Sequence, residues 1–410
     1  MVIPGRIYIK DYDYSLPESR IAQFPLEKRD ESKLLIWKEG KISESIFARI
    51  DDYLPGNSIL VFNDSKVIHA RLIFSKSTGA TIEVFCLVPL SPVTEIKASF
   101  AQTRSCTWKC LVGNVKRWKE GILEKAFVIK KRSYILRAEK KENLGDGCFS
   151  INFSWEPSEM TFSEILELAG MVPLPPYITR ASTSLDISRY QTIYARNEGS
   201  VAAPTAGLHF TEQTMESLKK KHITFQNLTL HVGLGTFRPV SEENISKHIM
   251  HSEKFSVKFS IIKDLTCNMQ KSVFAIGTTT VRTLESLYWL GVKIIIDGDQ
   301  RHPAIQQWDP YNPVYNKNIP CPKAMSALVT YLEKSGSDQF TGETALMIVP
   351  GYRFKIVKGM VTNFHLPQST LLLMVAAFIG QDWKILYQYA LEHDFRFLSY
   401  GDACLLLRKE

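Results

Sequence analysis

The chain has 410 residues, 45% of them hydrophobic and 22% charged, which is the composition of an ordinary globular protein long enough for two or three domains. Its N-terminus lacks the basic start and apolar run of a secretion signal, and its longest apolar run, residues 371–379, is too short to span a bilayer. We therefore predict a cytoplasmic protein without a membrane segment.

The net charge of +8 is unevenly distributed along the chain. Residues 61–150 contain 16 Lys and Arg against 8 Asp and Glu, whereas the rest of the chain contains 34 of each kind. A solvated lysine-rich surface and a footprint for a phosphate backbone both explain this clustering, and both interpretations stay open.

The first 58 residues are predicted to belong to an α/β unit rather than to a domain of their own. The stretch "YSLPESRIAQFP" predicts a short helix with Pro17 near its first turn. The α/β domain is therefore predicted to be discontinuous, over residues 1–60 and 155–410, with an inserted domain over residues 61–154.

The insert is predicted to be a small antiparallel β-barrel. Its β-rich runs are "ATIEVFCLVPL", "EIKASFAQT", "TWKCLVGNV", "EKAFVIKKRSYILRAEK" and "CFSINFSW", about five strands. Cys106 and Cys110 in "CTWKC" resemble half a metal site, but no second Cys or His pair follows at suitable spacing, and the alternation favours a strand. The seven Cys are scattered and odd in number, which predicts reduced thiols.

Basic and aromatic residues are interleaved in the second half of the insert. The segment "KRWKEGILEKAFVIKKRSYILR" mixes Lys and Arg with Trp118, Phe127 and Tyr134, a mixture that can hold nucleic acid by charge and stacking. The residues predicted to bind RNA are Lys116, Arg117, Lys119, Lys130, Lys131 and Arg132.

Beyond residue 154 helices and strands are predicted to alternate. "FSEILELAG" predicts a helix ended by Gly170, and "FTEQTMESLKKKHITFQNLTLHV" a helix capped by Thr211 and then a strand. "SVFAIGTTTVRTLESLYWLG" and "GMVTNFHLPQSTLLLMVAAFIG" each predict a strand, a polar loop and a helix, and "DACLLL" predicts a strand. The predicted fold class is α/β: a discontinuous α/β domain with a largely parallel sheet, plus an inserted small antiparallel β-barrel domain.

Four loops at predicted strand ends carry polar residues that a core does not need. They are "PTAGLHFT" at 204–211, "LHVGLGTFRPV" at 230–240, "IGTTTVRTLES" at 276–286 and "TNFHLPQST" at 362–370. Thr278, Thr279 and Thr280 would present hydroxyl and N–H groups at a helix N-terminus, with Arg282 one turn further on. This arrangement suits a carboxylate or a phosphate, and plain capping by threonine is the alternative.

Three histidines, His209, His231 and His365, lie beside these loops. A single histidine is commonly structural, but three at one sheet edge favour a role in proton transfer. His251 is a weaker candidate, which Glu253 is near enough to orient. The sequence contains no HExxH motif and no His and carboxylate set at ligand spacing, so no metal is expected.

Several longer blocks resemble one known family. They are "DYDYSLPESRIAQFPLEKRDESKLL", "FNDSKVIHARL", "GSVAAPTAGLHFT", "LTLHVGLGTFRPV", "MHSEKFSV", "AIGTTTVRTLES", "PGYRFKIVKGMVTNFHLPQSTLLLMVAAF" and "FRFLSYGDACLLL". By these blocks the chain resembles the S-adenosylmethionine:tRNA ribosyltransferase-isomerase family. Residues 308–349 depart from the family pattern and are expected to add a surface loop.

The resemblance implies transfer of the ribosyl part of S-adenosylmethionine to 7-aminomethyl-7-deazaguanine at the tRNA wobble position. Rearrangement gives epoxyqueuosine, and adenine and methionine leave. The implied partners are S-adenosylmethionine and a tRNA carrying that base, with no metal and no further cofactor. The resemblance also implies one α/β domain and one β-barrel domain, and we expect a monomer.

This reaction needs a base for the C5′ proton beside the sulfonium, an acid for the departing adenine, and an unprotonated amine on the RNA base. The acid and base candidates are His209, His231 and His365. Arg282 and the three threonines would hold the methionine carboxylate or a phosphate. The substrate-binding candidates are Thr205, Gly207, Gly233, Gly235, Thr278, Thr279, Thr280, Arg282, Tyr352, Arg353, Asn363, Tyr400 and Asp402.

Among these candidates, the aromatic and acidic residues are given recognition roles. Tyr352 with Arg353, or Tyr400, would stack on a base, and Asp402 would contact the methionine ammonium or a guanine-like edge. Two other functions explain less of the sequence. A conventional methyltransferase needs a glycine-rich loop and a later acidic residue that the sequence lacks. A non-catalytic RNA-binding protein would leave the four loops without a purpose.

Overall fold

The computed structural model describes residues 7–76, 78–233, 240, 242–298 and 303–408. Their helices are α1 Ile96–Phe100, α2 Phe162–Ala169, α3 Ser184–Arg189, α4 Glu212–Lys220, α5 Phe259–Cys267, α6 Thr278–Asp297, α7 Cys321–Ser335, α8 Thr370–Ile379 and α9 Asp382–Glu392. Their strands are β1 Lys33–Lys38, β2 Lys41–Ile46, β3 Ile59–Asn63, β4 Ser65–Val67, β5 Arg71–Ser75, β6 Thr81–Ser91, β7 Ser105–Gly113, β8 Ile122–Ile129, β9 Arg132–Gly145, β10 Cys148–Glu156, β11 Asn197–Ser200, β12 Thr224–Leu230, β13 Glu253–Lys258, β14 Val273–Ile276, β15 Ala304–Ile305, β16 Gln339–Thr344, β17 Val357–Asn363 and β18 Ala403–Leu407.

The larger sheet has ten strands in the order β15-β16-β13-β12-β3-β14-β17-β18-β1-β2. Its centre, β12-β3-β14-β17, is parallel throughout, and antiparallel pairs flank it on both sides. The central runs "ILVFN" and "VFAI" are buried along their whole length, as is typical of parallel strands covered on both faces. The predicted largely parallel sheet of the α/β fold is confirmed.

Helix α6 is the central helix of this domain. It has 20 residues, and the first 15 of them are buried. A Cβ added at Gly291 would stand 2.1 Å from the carbonyl oxygen of Ala324 in α7, so a residue without a side chain lets the two helices approach. The predicted caps are also present, because Thr211 accepts from the N–H of Thr214 and α2 ends at Gly170.

The second sheet is the predicted barrel. Its six strands are antiparallel in the order β5-β6-β7-β10-β9-β8, and the end strands β5 and β8 touch, so the sheet is nearly closed. In β7, Cys106, Trp108 and Cys110 are buried and their neighbours are less so, which confirms the predicted strand at "CTWKC". The expected count of about five strands is one short: β5 was not predicted, and the predicted strand that proves to be a helix is offset by "EKAFVIKKRSYILRAEK", which contains both β8 and β9.

One predicted strand of the barrel is wrong. "EIKASFAQT" contains α1, whose N-terminus is capped by Glu95 accepting from the N–H of Ala98 at 2.6 Å. Ile96, Ser99 and Phe100 are spaced for one helix face, and the last two are buried. The apolar spacing of so short a segment fits the period of two of a strand as well as the period of 3.6 of a helix. The cap formed by Glu95 is what favours the helix.

Two other expectations differ from the structure. Strand β3 crosses the expected boundary at residue 60 and lies wholly in the large sheet, while the barrel strands begin at Arg71 and end at Glu156. Residues 308–349 are not an added surface loop, because they contain α7 and β16. Leu328, Leu332 and Phe340 there belong to the main hydrophobic core, which explains why the segment is ordered.

The N-terminal segment and the membrane test complete the fold. The short helix predicted after Pro17 is a single 3-10 turn, Glu18–Arg20. Within the described ranges no single helix is long and apolar enough to cross a membrane; α8 and α9 meet that test only when taken together, and they are bent by 113°.

Candidate active site

A cavity lies where β12, β14 and β17 end, at the carboxyl edge of the parallel strands. Its empty volume, space open to solvent included, is about 700 Å³. The four loops predicted to meet here all contribute to its wall, together with segments from elsewhere in the chain. The lining residues are Tyr177, residues 203–206, Val232, residues 277–279, residues 362–366, Ser369, Leu371, Leu398 and Ser399.

The N-terminus of α6 opens into this cavity. Gly277, at φ +89°, makes the turn from β14 into the helix, and no described side chain caps the helix. Thr279 is 7% exposed, lines the cavity, and its hydroxyl has no hydrogen-bond partner among the described residues. Thr280 differs, because its hydroxyl donates to the Ile276 carbonyl at 2.7 Å. The free N–H groups and the Thr279 hydroxyl are therefore donors that face the cavity without a partner among the described residues, an arrangement whose chemistry suits an anion.

His365 is the only one of the three predicted histidines that lines the cavity. Its ring Nε2 lies 2.8 Å from the Thr362 hydroxyl oxygen, and its backbone N–H donates to the Tyr387 hydroxyl at 3.1 Å. The Tyr14 hydroxyl donates to its carbonyl at 2.5 Å. Burial lowers the pKa of the imidazole to about 3, so the ring is neutral at pH 7.

His209 is connected to the cavity through other side chains. Its Nδ1 lies 2.8 Å from the Ser32 hydroxyl and its Nε2 lies 3.1 Å from the Asn363 amide nitrogen. Asn363 in turn accepts from the Thr205 hydroxyl at 2.9 Å, and both Asn363 and Thr205 line the cavity. Burial and, less strongly, Arg396 lower the pKa of His209 to about 3. The ring is thus a neutral link in a buried hydrogen-bond chain.

Two different structural requirements explain the small residues of "AAPTAG". Ala203, Pro204 and Ala206 line the cavity, so their short side chains keep it open. Gly207 does not line it. A Cβ at Gly207 would stand 1.9 Å from the Tyr194 hydroxyl, which means that tight packing requires this glycine.

The loop after β12 faces two ways. His231 does not line the cavity. It lines a separate groove beside α1, whereas the next residue, Val232, lines the cavity. Burial and Lys97 lower the pKa of His231 to about 4. The N–H of Gly233 donates to Glu253 at 3.1 Å, away from the cavity. The predicted Gly235 lies outside the described residues.

The structure places Arg282 in the core rather than at the cavity. Its guanidinium donates to Glu253 at 2.5 Å and to the Thr344 carbonyl at 3.2 Å, and the residue is 2% exposed. Burial alone would raise the pKa of Glu253, but Arg282, His251 and the Gly233 N–H outweigh it and lower the pKa to about 2. Because Arg282 is bonded to Glu253, its guanidinium is not available beside the α6 N-terminus.

The remaining predicted recognition residues are held in internal networks. Tyr352 accepts from the indole N–H of Trp289 and donates to Glu285, both at 2.8 Å. Tyr400 donates to Asp186 at 2.8 Å, and Asp402 accepts from the N–H groups of Lys33 and Arg396. Arg353 is exposed, and none of the four lines the cavity.

Two polar residues of the cavity wall lie outside the four predicted loops and were missed from the sequence. Tyr177 and Ser399 line it, with their hydroxyl oxygens 2.6 Å apart. They are 222 positions apart in the chain, so no local motif joins them. The available signal was the Pro-rich loop "PLPPYI", which stiffens the backbone before a single aromatic residue.

The residues predicted to bind RNA lie at opposite ends of the barrel. Lys116, Arg117 and Lys119 follow β7, whereas Lys130 and Lys131 form the turn from β8 to β9. The eight residues of β8 separate the two groups by about 26 Å. All are exposed together with Arg132, which alone of the six forms an ion pair within the described chain, with Glu159 at 2.6 Å.

The predicted aromatic stacking surface on the barrel is wrong. Trp118 is fully buried, Tyr134 is 8% exposed, and Phe127 stacks on Tyr134 with ring centroids 5.3 Å apart. Alternation along β8 and β9 turns these rings toward the core, so they are not available to RNA bases.

Comparison with known proteins establishes the family. A model for a family described as queuosine biosynthesis protein matches residues 9–406. The chain belongs to this family. The resemblance predicted from the sequence blocks is thereby confirmed.

Over the described residues, no group of three or more His, Cys, Asp or Glu is placed to hold a metal ion.

Curated relatives carry one name, S-adenosylmethionine:tRNA ribosyltransferase-isomerase. The protein of Thermotoga petrophila is 37% identical over 404 residues, and that of Halothermothrix orenii is 38% identical over 405; each match covers 97% of this chain and 99% of the relative. A crystal structure of S-adenosylmethionine tRNA ribosyltransferase from Thermotoga maritima is 30% identical and covers 97% of this chain and 100% of that one, with a TM-score of 0.46.

Proposed function

We propose that this protein transfers and isomerises the ribosyl part of S-adenosylmethionine onto 7-aminomethyl-7-deazaguanine at the tRNA wobble position. The products are epoxyqueuosine-tRNA, adenine and methionine. Family membership and relatives named for this activity support the reaction. The observation that carries the proposal is the cavity at the strand ends, into which the uncapped 20-residue helix α6 opens.

We propose that the methionine carboxylate of S-adenosylmethionine binds at the α6 N-terminus. The N–H groups of Thr278 and Thr279 have no acceptor within the helix, and the helix dipole favours a negative charge there. The unpartnered Thr279 hydroxyl adds a third donor. No charged side chain of the described residues lines the cavity, so nothing in its wall repels the sulfonium of the same substrate.

His365 is proposed as the residue that exchanges protons with the substrate. It lines the cavity and is unprotonated at pH 7, as an acceptor for the C5′ proton that the sulfonium makes acidic must be; its low pKa makes it a weak base whose protonated form gives the proton up readily. When the Thr362 hydroxyl donates to the Asn363 carbonyl at 3.3 Å, its oxygen accepts Nε2–H of His365, and Nδ1 keeps the free lone pair. The proton can then pass to the departing adenine.

His209 is proposed to support the wall of the cavity from behind. Both of its ring nitrogens are in hydrogen-bond range of side chains, Ser32 on one side and Asn363 on the other. It therefore fixes which way the Asn363 amide faces, and with it the Thr205 hydroxyl. Asn363 and Thr205 are proposed to contact the ribose or the RNA base.

The barrel insert, expected over residues 61–154, is proposed to hold tRNA by charge. Lys130 and Lys131 lie at the end nearer the large sheet, and Lys116, Arg117 and Lys119 at the far end. Exposed cations bind phosphates without reading sequence, which suits a backbone grip. We further propose that the protein acts as a cytoplasmic monomer and needs no metal or redox cofactor.

An assay of small products tests the function. The protein is incubated with S-adenosylmethionine and a tRNA that carries the aminomethyl base. Release of adenine together with methionine supports the proposal. Formation of S-adenosylhomocysteine would instead indicate a methyltransferase, and RNA binding without either product would indicate a protein that only binds tRNA.

A further inference from the structure

A groove lies beside the cavity, between α1 of the barrel and strands β12, β13 and β16 of the large sheet. It has two parts with empty volumes, space open to solvent included, of about 1340 and 1000 Å³, which share the lining residues Lys97, Asn197, Thr229, Ser256 and Gln339. His231 lines the first part, while its neighbour Val232 lines the cavity. The groove and the cavity therefore share the end of one strand.

Four exposed cations line the groove: Lys97, Arg196, Lys254 and Lys258. None of the four forms an ion pair within the described parts of the chain. Three of them line the second part, where the single acidic residue is Asp64. Positive charge without an internal partner is typical of a surface that binds a polyanion.

The acidic residues of the groove already have partners. Asp64 accepts from the Thr229 hydroxyl at 2.7 Å and from the Asn197 amide at 3.0 Å. Glu95 accepts from the first turn of α1, and Glu343 accepts from the Ser252 hydroxyl at 3.1 Å. These carboxylates are thus held by the fold, and the cations remain available to a ligand.

His231 provides a second kind of contact in the same groove. Its Nδ1 is buried and has no hydrogen-bond partner among the described residues. Gly199, at φ +135°, makes room for the ring, because a Cβ there would stand 2.7 Å from Nδ1. The Nδ1 edge of the ring thus packs against Gly199, and an RNA base in the groove would meet the rest of the imidazole, which lines it.

We propose that the groove binds one unpaired nucleotide of the substrate RNA, with its phosphate against Lys97, Arg196 and Lys258 and its base beside His231. The inference rests on the proposed function, because an anticodon loop brings unpaired nucleotides next to the base that enters the cavity. The amides and hydroxyls between the cations suit ribose and phosphate oxygens. An acidic peptide is the competing occupant.

The charge contacts are tested with full-length protein and an anticodon stem-loop RNA. Binding is measured by fluorescence anisotropy over a range of salt for the triple variant Lys97→Ser, Arg196→Ser, Lys258→Ser. Affinity should fall at least about 10-fold at low salt, and the slope of log affinity against log salt should drop by about 0.7, since the groove neutralises one phosphate and each single-strand phosphate contact contributes about 0.7. Unchanged affinity and slope would overturn the proposal.

A matched triple variant controls for the loss of total charge. Lys219→Ser, Lys323→Ser, Lys334→Ser removes three exposed cations from α4 and α7, and none of the three lines the cavity or the groove. Its salt slope should equal that of the wild type. An equal loss of slope in both triple variants would also overturn the proposal, because the effect would then be one of net charge.

The base contact is tested with His231→Ala and RNAs in which one nucleotide flanking the target base is abasic. The wild type should lose about 10-fold in affinity at one flanking position, the range of a single base contact, and the variant should be insensitive there. KM for the RNA should rise and kcat should not change. A fall in kcat at constant KM, or displacement of the RNA by a poly-glutamate peptide at lower concentration than by RNA itself, would overturn the proposal.

Binding without S-adenosylmethionine separates this inference from the proposed function. If the groove variants lose RNA affinity but the wild type releases no adenine, the function is wrong and the groove stands. If the wild type releases adenine and the groove variants bind RNA as it does, the groove is wrong and the function stands.

Discussion

The cavity and the groove meet at the end of β12 and differ in charge. Among the described residues, hydroxyl, amide, imidazole and apolar groups line the cavity, whereas four cations without an ion-pair partner and three carboxylates line the groove. S-adenosylmethionine carries a sulfonium and an ammonium as well as a carboxylate, so Lys or Arg in the cavity would repel most of it. A helix N-terminus binds the carboxylate without adding a full positive charge, and the fold thus separates a cationic substrate from a polyanionic one.

The largest expected effect comes from His365, the proton acceptor proposed in the cavity. His365→Gln should lower the rate of adenine release by about 10²- to 10⁴-fold, because general acid and base catalysis contributes about that much. Binding of S-adenosylmethionine, measured by calorimetry, should change little. Wild-type turnover in this variant would remove His365 from the proposed chemistry.

Thr279 tests whether the cavity binds its anion by a helix rather than by a cation. Thr279→Val removes the unpartnered hydroxyl, and affinity for S-adenosylmethionine should fall about 10-fold, since a hydrogen bond to a charged group contributes about 1.5 to 3 kcal/mol. Thr280→Val is the matched control, because its hydroxyl is bonded to the Ile276 carbonyl. Equal losses in both variants would contradict an anion site at Thr279.

The neutral histidines behind the cavity make stability depend on pH. His209 and His365 have pKa values of about 3 in the folded state, below the ordinary value of 6.5, so the unfolded chain binds more protons between these limits. The free energy of unfolding should therefore fall as pH drops below 6.5, with a slope that approaches about 1.4 kcal/mol per pH unit for each histidine near pH 5. For His209→Gln, the free energy of unfolding measured with urea between pH 5 and 6.5 should change less steeply with pH than that of the wild type, because unfolding takes up about one proton fewer. An unchanged pH dependence would mean that His209 is charged when folded.

The smallest effect is expected at the far end of the barrel, which sharpens the contrast with the groove. Lys116→Ser combined with Lys119→Ser should weaken stem-loop binding only about threefold at 0.1 M salt, because the far end would contact tRNA beyond the stem-loop, and exposed charges more than a Debye length of about 10 Å from the ligand are largely screened. Anisotropy at 0.1 M salt measures this. A larger loss than in the groove triple variant would move the main phosphate contacts to the barrel.

Much of the fold could be predicted from the sequence, because a long segment with a regular hydrophobic period fits only one type of secondary structure. The strand, loop and helix of "SVFAIGTTTVRTLESLYWLG" appear as β14, Gly277 and α6. The errors fall on short or context-dependent segments. Residues 96–100 fit a helix and a strand equally well until Glu95 caps them, and residues 308–349, expected to add a surface loop, pack in the core.

The site was predicted less completely, and the reason is physical. Sequence shows which residues can bind a ligand but not which ones the fold uses itself. Thr279 and His365 line the cavity, whereas Arg282 is bonded to Glu253 and Tyr352 to Glu285. Tyr177 and Ser399 were missed because only the tertiary fold brings them together.

The central claim is that the cavity, and not the groove, holds S-adenosylmethionine with its carboxylate at the α6 N-terminus. A crystal structure of the protein with S-adenosylmethionine bound tests it most directly. The account predicts the carboxylate within hydrogen-bond distance of the Thr278 and Thr279 N–H groups and of the Thr279 hydroxyl, with the ribose toward His365. Density for S-adenosylmethionine in the groove beside His231, with the cavity empty, would contradict it.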